Sequence, residues 1–133
     1  MEESDYTTEF EFKASPRMLY PYLSTAGGLA QWFADDVVVT QNKQLDFFWD
    51  KEKYRAHIVS QKQNKLIKFE FRGDDNSNGH TDHPFIEIDL DSNDLTGTVF
   101  MKITDTMTSS EDLEELREIW QYLTDNLKEI VGG

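Results

Sequence analysis

Hydrophobic and polar positions alternate along most of this chain. From Thr7 to Lys13, Thr8, Phe10 and Phe12 face one way and Glu9, Glu11 and Lys13 the other, the pattern of a half-buried strand. Ser15-Pro16 then opens a helix, with Ser15 as N-cap and Pro16 in the first turn, and Met18, Leu19, Tyr22 and Leu23 form its apolar side. Ser24-Thr25 caps a second short helix that runs through Gly27, Gly28 and Leu29 to Trp32. A run of strands follows. Val37 to Gln41 is short and β-branched; Leu45, Phe47 and Trp49 share a face; Tyr54, Ala56 and Ile58 alternate with Arg55, His57 and Val59. Ile67, Phe69 and Phe71 alternate with Lys68, Glu70 and Arg72, then Ile86, Ile88 and Leu90 with Phe85, Glu87 and Asp89. In the last strand, Thr98 to Thr104, Val99, Met101 and Ile103 point inward and Phe100 and Lys102 outward. Turns are expected at Asp50-Lys51-Glu52, Gln63-Asn64 and Asp91-Ser92-Asn93-Asp94.

The chain closes with its longest helical pattern, Ser110 to Val131. Leu113, Leu116, Trp120, Leu123, Leu127 and Ile130 recur at three- and four-residue steps and form one stripe. Thr108, Ser109 and Ser110 supply capping hydroxyls, acidic residues crowd the positive end of the helix dipole, and Gly132-Gly133 ends it. At 1.5 Å per residue such a helix is about 30 Å long, enough to cross a sheet. Short connections make the sheet antiparallel, and a sheet with one dry face needs a helical cover. The fold class is therefore α+β, in one domain spanning residues 1–133.

Nine Phe, five Tyr and three Trp provide a core despite 29% charged residues. With no cysteine, disulfides, thiolate metal sites and cysteine nucleophiles are excluded. The formal net charge of −13 repels phosphate backbones and anionic headgroups, so no nucleic-acid partner and no membrane insertion is expected, and by itself this charge specifies solubility. The acidic start, Met1 to Asp5, lacks the apolar run of a signal peptide, and a cytoplasmic location is the expectation.

Between Ser15 and Val38 the chain reads Ser-Pro-Arg-Met-Leu-Tyr-Pro-Tyr-Leu-Ser-Thr-Ala-Gly-Gly-Leu-Ala-Gln-Trp-Phe-Ala-Asp-Asp-Val. This resembles the opening of START-like (SRPBCC) proteins. That helix-grip superfamily includes Bet v 1-like proteins, polyketide cyclase-like proteins and homologues of the Hsp90 ATPase activator, and the chain is similar in particular to small bacterial members. The order of elements agrees over the whole chain. The resemblance implies a curved antiparallel sheet of about seven strands wrapped on the long C-terminal helix, with two short helices after strand one and a cavity between sheet and helix. Some members bind lipids, sterols or aromatic compounds, others bind a chaperone, and a few are cyclases or dehydratases.

The inward face defines the candidate ligand-binding lining. From the sheet it comprises Phe47, Trp49, Tyr54, Ile67, Phe69, Phe71, Ile86, Ile88, Val99, Met101 and Ile103; from the long helix, Leu116, Trp120 and Leu123; and Trp32 and Phe33 close one end. The same rings can also pack as an ordinary filled core. Tyr54, Trp49 and Trp120 are the inward polar donors, and none is a strong base near neutral pH, so a non-catalytic holder of a lipid-like or aromatic ligand is favoured over an acid–base enzyme. His57 falls on the wet face, where a histidine is ordinarily a surface residue. Asp74, Asp75, His80, Asp82 and His83 share a polar loop, but their spacing matches no zinc motif. Asp89, Asp91 and Asn93 begin a calcium-loop pattern that fails at Asp94 and Phe100. No metal and no cofactor is expected. Asp35-Asp36 reads as a helix-to-strand corner.

One feature is odd on a wet face. Phe85 and Phe100 both point outward on strands joined by a short turn, and an aromatic cross-strand pair extended by Phe48 and Val59 would make an apolar patch for a homodimer or a chaperone contact.

Overall fold

A computed structural model describes residues 6–41, 43–71, 83–106 and 113–133. The expected helix caps at Thr108, Ser109 and Ser110, the outward Arg72, and Asp74, Asp75, His80 and Asp82 lie outside the described residues.

Strand β1 (Tyr6–Phe12) leads into three short helices, α1 (Pro16–Leu19), α2 (Pro21–Ser24) and α3 (Ala26–Trp32). Six strands follow: β2 (Asp36–Gln41), β3 (Gln44–Trp49), β4 (Glu52–Lys62), β5 (Leu66–Phe71), β6 (Phe85–Asn93) and β7 (Thr98–Asp105). Helix α4 (Leu113–Val131) comes last. All strands join one antiparallel sheet in the order β1-β7-β6-β5-β4-β3-β2. The sheet is thus a meander from β2 to β7, with β1 added beyond β7.

The helical turns are made by local chemistry. The Ser15 hydroxyl accepts from the Met18 N–H at 3.2 Å, with Pro16 in the first turn where its missing N–H costs nothing. The first of the two expected short helices is divided at Tyr20-Pro21, giving α1 and α2. Thr25 caps α3 by accepting from the Gly28 N–H at 2.9 Å. Gly28 sits where α2 and α3 touch backbone to backbone: a Cβ there would lie 2.3 Å from the Pro21 carbonyl oxygen and 2.7 Å from the Tyr22 Cα. Gly27 faces open space.

The hairpins follow turn rules. Trp49 pairs with Glu52 across a two-residue loop, and Asp50 and Lys51 both adopt positive φ (53° and 70°), as a type I′ turn requires. The β4–β5 loop puts Asn64 in the left-handed region at φ 63°, and the β6–β7 loop puts Gly97 there at φ 71°.

Burial confirms the strand phases and corrects the helix stripe. Phe10, Phe12, Leu45, Phe47, Ala56, Ile67, Phe69, Ile86, Ile88, Val99, Met101 and Ile103 form the inner face. On α4 the buried residues are Leu116, Trp120, Thr124 and Leu127. Leu113 and Ile130, expected in the stripe, are exposed at the two ends of the helix, and a threonine takes a central place with its hydroxyl donating to the Trp120 carbonyl at 2.9 Å. The buried seam of α4 is therefore shorter than its apolar pattern.

The proposed pairing of Phe85 with Phe100 is also corrected. Strand β6 runs on to Asn93 and pairs Asn93 with Thr98, which sets Phe100 opposite Asp91. Phe85, at the other end of β6, pairs with Glu70 of β5 and lies under the Lys68 ammonium, 4.2 Å from the ring centroid. Phe48 pairs with Asp36 and Lys53, and Val59 occupies a β-bulge in β4. These four side chains stand on four different strands, and the two phenylalanines that were to nucleate the patch lie several residues apart along the β6–β7 ladder.

On the outer face, Asp46 is buried and receives a two-pronged contact from Arg55, Nε to Oδ1 at 2.8 Å and Nη2 to Oδ2 at 3.1 Å. The guanidinium holds the Asp46 carboxyl below its ordinary range. Burial and the neighbouring Asp89 carboxylate push Glu87 up.

Two outcomes follow from these contacts. Gly28→Ala forces α2 and α3 apart and should cost about 1–3 kcal/mol in urea denaturation, whereas Gly27→Ala should be neutral or stabilising by up to about 1 kcal/mol. The depressed Asp46 pKa contributes stability that is present above the unfolded carboxyl value of about 3.9 and is lost as pH falls through the folded value. Asp46→Asn should therefore cost about 1–2 kcal/mol at pH 7, and the gap to wild type should close below about pH 4.

Candidate functional site

The inward residues converge on Phe33, which follows α3. Its ring centroid lies 5.4 Å from Trp32, 5.4 Å from Phe47, 5.3 Å from Trp49, 6.4 Å from Phe69 and 5.8 Å from Trp120. Phe47 adds contacts to Trp49, Phe69 and Phe71, and Trp49 to Tyr54 and Phe71. Phe33, expected at one end of the lining, is the hub of the cluster. Rings from α3, the sheet and α4 meet at van der Waals distance there, so Trp120 acts as a plug between the layers. Ile67, Ile86, Ile88, Val99, Met101, Ile103 and Leu116 are buried around this cluster or beside it, Phe71 is 8% exposed, and Tyr54, Trp49 and Leu123 are half-buried.

The expected polar anchors have internal partners. The Trp49 indole N–H donates to the Phe33 carbonyl at 2.8 Å, Trp32 to the Tyr22 carbonyl at 2.8 Å, and the Tyr54 hydroxyl to Glu52 at 2.9 Å. That last bond and the Glu52 charge raise the Tyr54 pKa. The Trp120 indole N–H donates to Asp105 Oδ2 at 2.9 Å. Asp105 is 1% exposed and points inward, which sequence reasoning missed. The signal is present: Val99, Met101 and Ile103 continue at period two to position 105, one residue past the expected strand end at Thr104. On the inner face the buried polar residues among those described are Asp105 and Thr124. No group of three or more metal-capable side chains occurs among the described residues.

At the rim of the ring cluster the packing opens. A cleft of about 320 Å³ lies between the C-terminal end of α3, the end of β3 and α4, walled by Gln31, Trp32, Phe33, Ala34, Asp35, Trp49, Tyr122, Leu123 and Asn126. It brings together Trp32, Phe33, Trp49 and Leu123 from the expected lining. Tyr122 and Asn126 were missed because they flank the buried stripe of α4 and do not belong to it; Tyr122 is 67% exposed. The other expected lining residues are not part of this cleft.

Residues 1–133 match the START-like superfamily domain. The chain belongs to the START-like superfamily. Solved structures share the fold. The Aha1 dimer from Colwellia psychrerythraea is similar at 17% identity with a TM-score of 0.76, with 96% of each chain covered. A Bacteroides fragilis protein is 30% identical, covering 98% of this chain and 92% of its own, with a TM-score of 0.64. An Hsp90 activator from Plasmodium falciparum is 14% identical with 96% of each chain covered and a TM-score of 0.67. A search of functionally curated proteins finds no match. Among the described residues no helix of this START-like chain is long and apolar enough to cross a membrane.

Trp120→Ala should cost about 3–5 kcal/mol in chemical denaturation, the loss expected for a ring removed from a filled core. Trp120→Phe keeps most of the ring and leaves Asp105 without its indole donor, and should cost less, about 1–3 kcal/mol.

Proposed function

We propose that this START-like protein is a non-catalytic binding protein that holds a small, flat apolar molecule in the cleft between α3, β3 and α4. The observation that carries this reading is the 320 Å³ opening floored by Trp32, Phe33 and Trp49 and flanked by Leu123 and Tyr122. That volume is at the small end of ligand sites, about 300–1,000 Å³, which suits one or two fused rings better than a long acyl chain. The deeper space between sheet and helix is taken by the protein's own rings, so the ligand belongs at the rim. The Trp32 and Trp49 indole N–H groups are already bonded to backbone carbonyls, which leaves the ring faces and edges to do the recognising. A ligand ring that buries about 150–250 Å² gains about 4–6 kcal/mol before ordering costs are subtracted, so affinities weaker than micromolar are expected.

A second reading, a protein-interaction module, is favoured by the apolar side chains that continue along the flank of α4 from the cleft, Ile119, Tyr122 and Ile130, all exposed. Two of the similar structures, an Aha1 dimer and an Hsp90 activator, point to the same class of role. Under that reading the occupant of the flank is a second copy of the chain or a chaperone.

Titration with 1-aminoanthracene, a neutral fluorescent ring system, tests the first reading, because two of the three tryptophans line the cleft and transfer energy to a probe bound there. Saturable quenching of tryptophan emission is expected, together with its loss in Asn126→Trp, which fills the cleft from the rim without touching the ring cluster. Absence of saturation, or equal binding by Asn126→Trp, rejects the ligand reading and leaves the interaction module.

A further inference from the structure

The larger opening is elsewhere and has the opposite chemistry. A cleft of about 640 Å³ lies between α1–α2, the β2–β3 turn and the β4–β5 hairpin, walled by Arg17, Tyr20, Pro21, Ser24, Thr25, Lys43, Gln61, Gln63 and Asn64. It shares no residue with the aromatic cleft. Among the described residues its wall carries two cations and no carboxylate, in a chain with 26 acidic and 13 basic residues. Among the described residues neither Arg17 nor Lys43 has an ion-pair partner.

Along the sequence the segments that make the wall are also free of acid, although Asp89 of β6 pairs with Leu66 beside the β4–β5 hairpin. Residues 12–34, 37–45 and 53–69 contain no Asp or Glu, and these three stretches include every described residue of the cleft. Lys62 and Lys65 flank the Gln63-Asn64 tip of the hairpin and add to the positive potential. In a chain of net charge −13 an anion is repelled by the general field, so an anion site requires a local region of the opposite sign. Unpaired like charges that face one cleft repel each other and add nothing to folding, whereas a bound anion satisfies both.

The walls are held in place from several sides. The Tyr20 hydroxyl donates to the Leu66 carbonyl at 2.8 Å, which ties α1–α2 to β5. The Ile58 N–H donates to the Lys43 carbonyl at 2.9 Å, which ties the β2–β3 turn to β4. The Ser24 and Thr25 hydroxyls donate to the Tyr20 and Pro21 carbonyls at 3.0 and 2.8 Å. The amides of Gln61, Gln63 and Asn64 supply neutral donors beside the two cations.

We infer that this cleft is a binding site for a small polar anion bearing a phosphate or carboxylate group, held by Arg17 and Lys43 and oriented by the amides of the β4–β5 hairpin. Arg17 suits a forked contact to two anion oxygens, and Lys43 acts as a point charge.

The test is an amide NMR titration of the full chain with inorganic phosphate and, separately, with citrate, each at constant ionic strength against chloride. Saturable shifts are expected at Ser24, Thr25, Lys43 and Gln61 to Asn64, and the tighter of the two probes distinguishes phosphate from carboxylate ligands. The Arg17→Ala/Lys43→Gly double variant should bind at least about tenfold more weakly. Lys43 sits at φ 62°, where glycine is favoured, and both side chains are exposed, so the variant should melt at or above the wild-type temperature and its loss of binding is not a loss of fold. Lys102→Ala, on the outer face of β7, should bind as wild type. Shifts that do not saturate by about 10 mM with either probe, or that are the same in the double variant, overturn the proposal.

Discussion

One ring holds the layers together. Phe33 touches Trp32, Phe47, Trp49, Phe69 and Trp120, and those partners come from α3, two strands and α4. Tilted, edge and stacked contacts of this kind are worth about 0.5–1.5 kcal/mol each beyond the area they bury. The placement of Phe33 rests in turn on short-range chemistry. Thr25 caps α3, Gly28 lets α3 lie against α2, Trp32 bonds back to the Tyr22 carbonyl, and Trp49 donates to the Phe33 carbonyl itself. A single residue is thus fixed through both its backbone and its ring, and the long helix packs on the result through Trp120.

Filling the interior this way leaves open space at the rims. The apolar rim, between α3 and α4, is the edge of the same ring cluster, with aromatic surface left over where the helix runs past it. The cationic rim, on the other side of α1–α2, is made by segments from which carboxylates are missing. The two openings differ in their physics: one exposes aromatic surface, and the other carries a local sign of charge opposed to the field of the whole molecule.

The inner face of the sheet was legible because strand side chains repeat at period two, so Phe47, Phe69, Ile88 and Met101 announce their side without any knowledge of partners. Ser15, Thr25 and the paired turn at Asp50-Lys51 were legible for a similar reason, since caps and tight turns are settled within a few residues. Register was not. Whether Phe85 meets Phe100 depends on where the β6–β7 turn falls, and β6 runs on to Asn93 before turning at a four-residue loop that ends in Gly97. Asp105 was hidden because a charged residue at the end of a strand looks like a terminus until a donor such as Trp120 is brought to it. Tyr122 was hidden because a helix flank has no signature apart from the stripe beside it.

By itself the sequence determined the element types, the phase of each strand, the START-like resemblance and the acid-free stretches, because all of these are properties of neighbours in the chain or of composition. Tertiary structure alone decided that β1 lies against β7, that Leu113 and Ile130 extend beyond the buried seam of α4, and that Phe33 is the hub. It also decided which faces close and which stay open, filling the space between sheet and helix and leaving, among the described residues, the aromatic and the cationic cleft at the rims. These outcomes depend on distances between segments far apart in sequence, where packing density and crossing geometry, and no local preference, set the result.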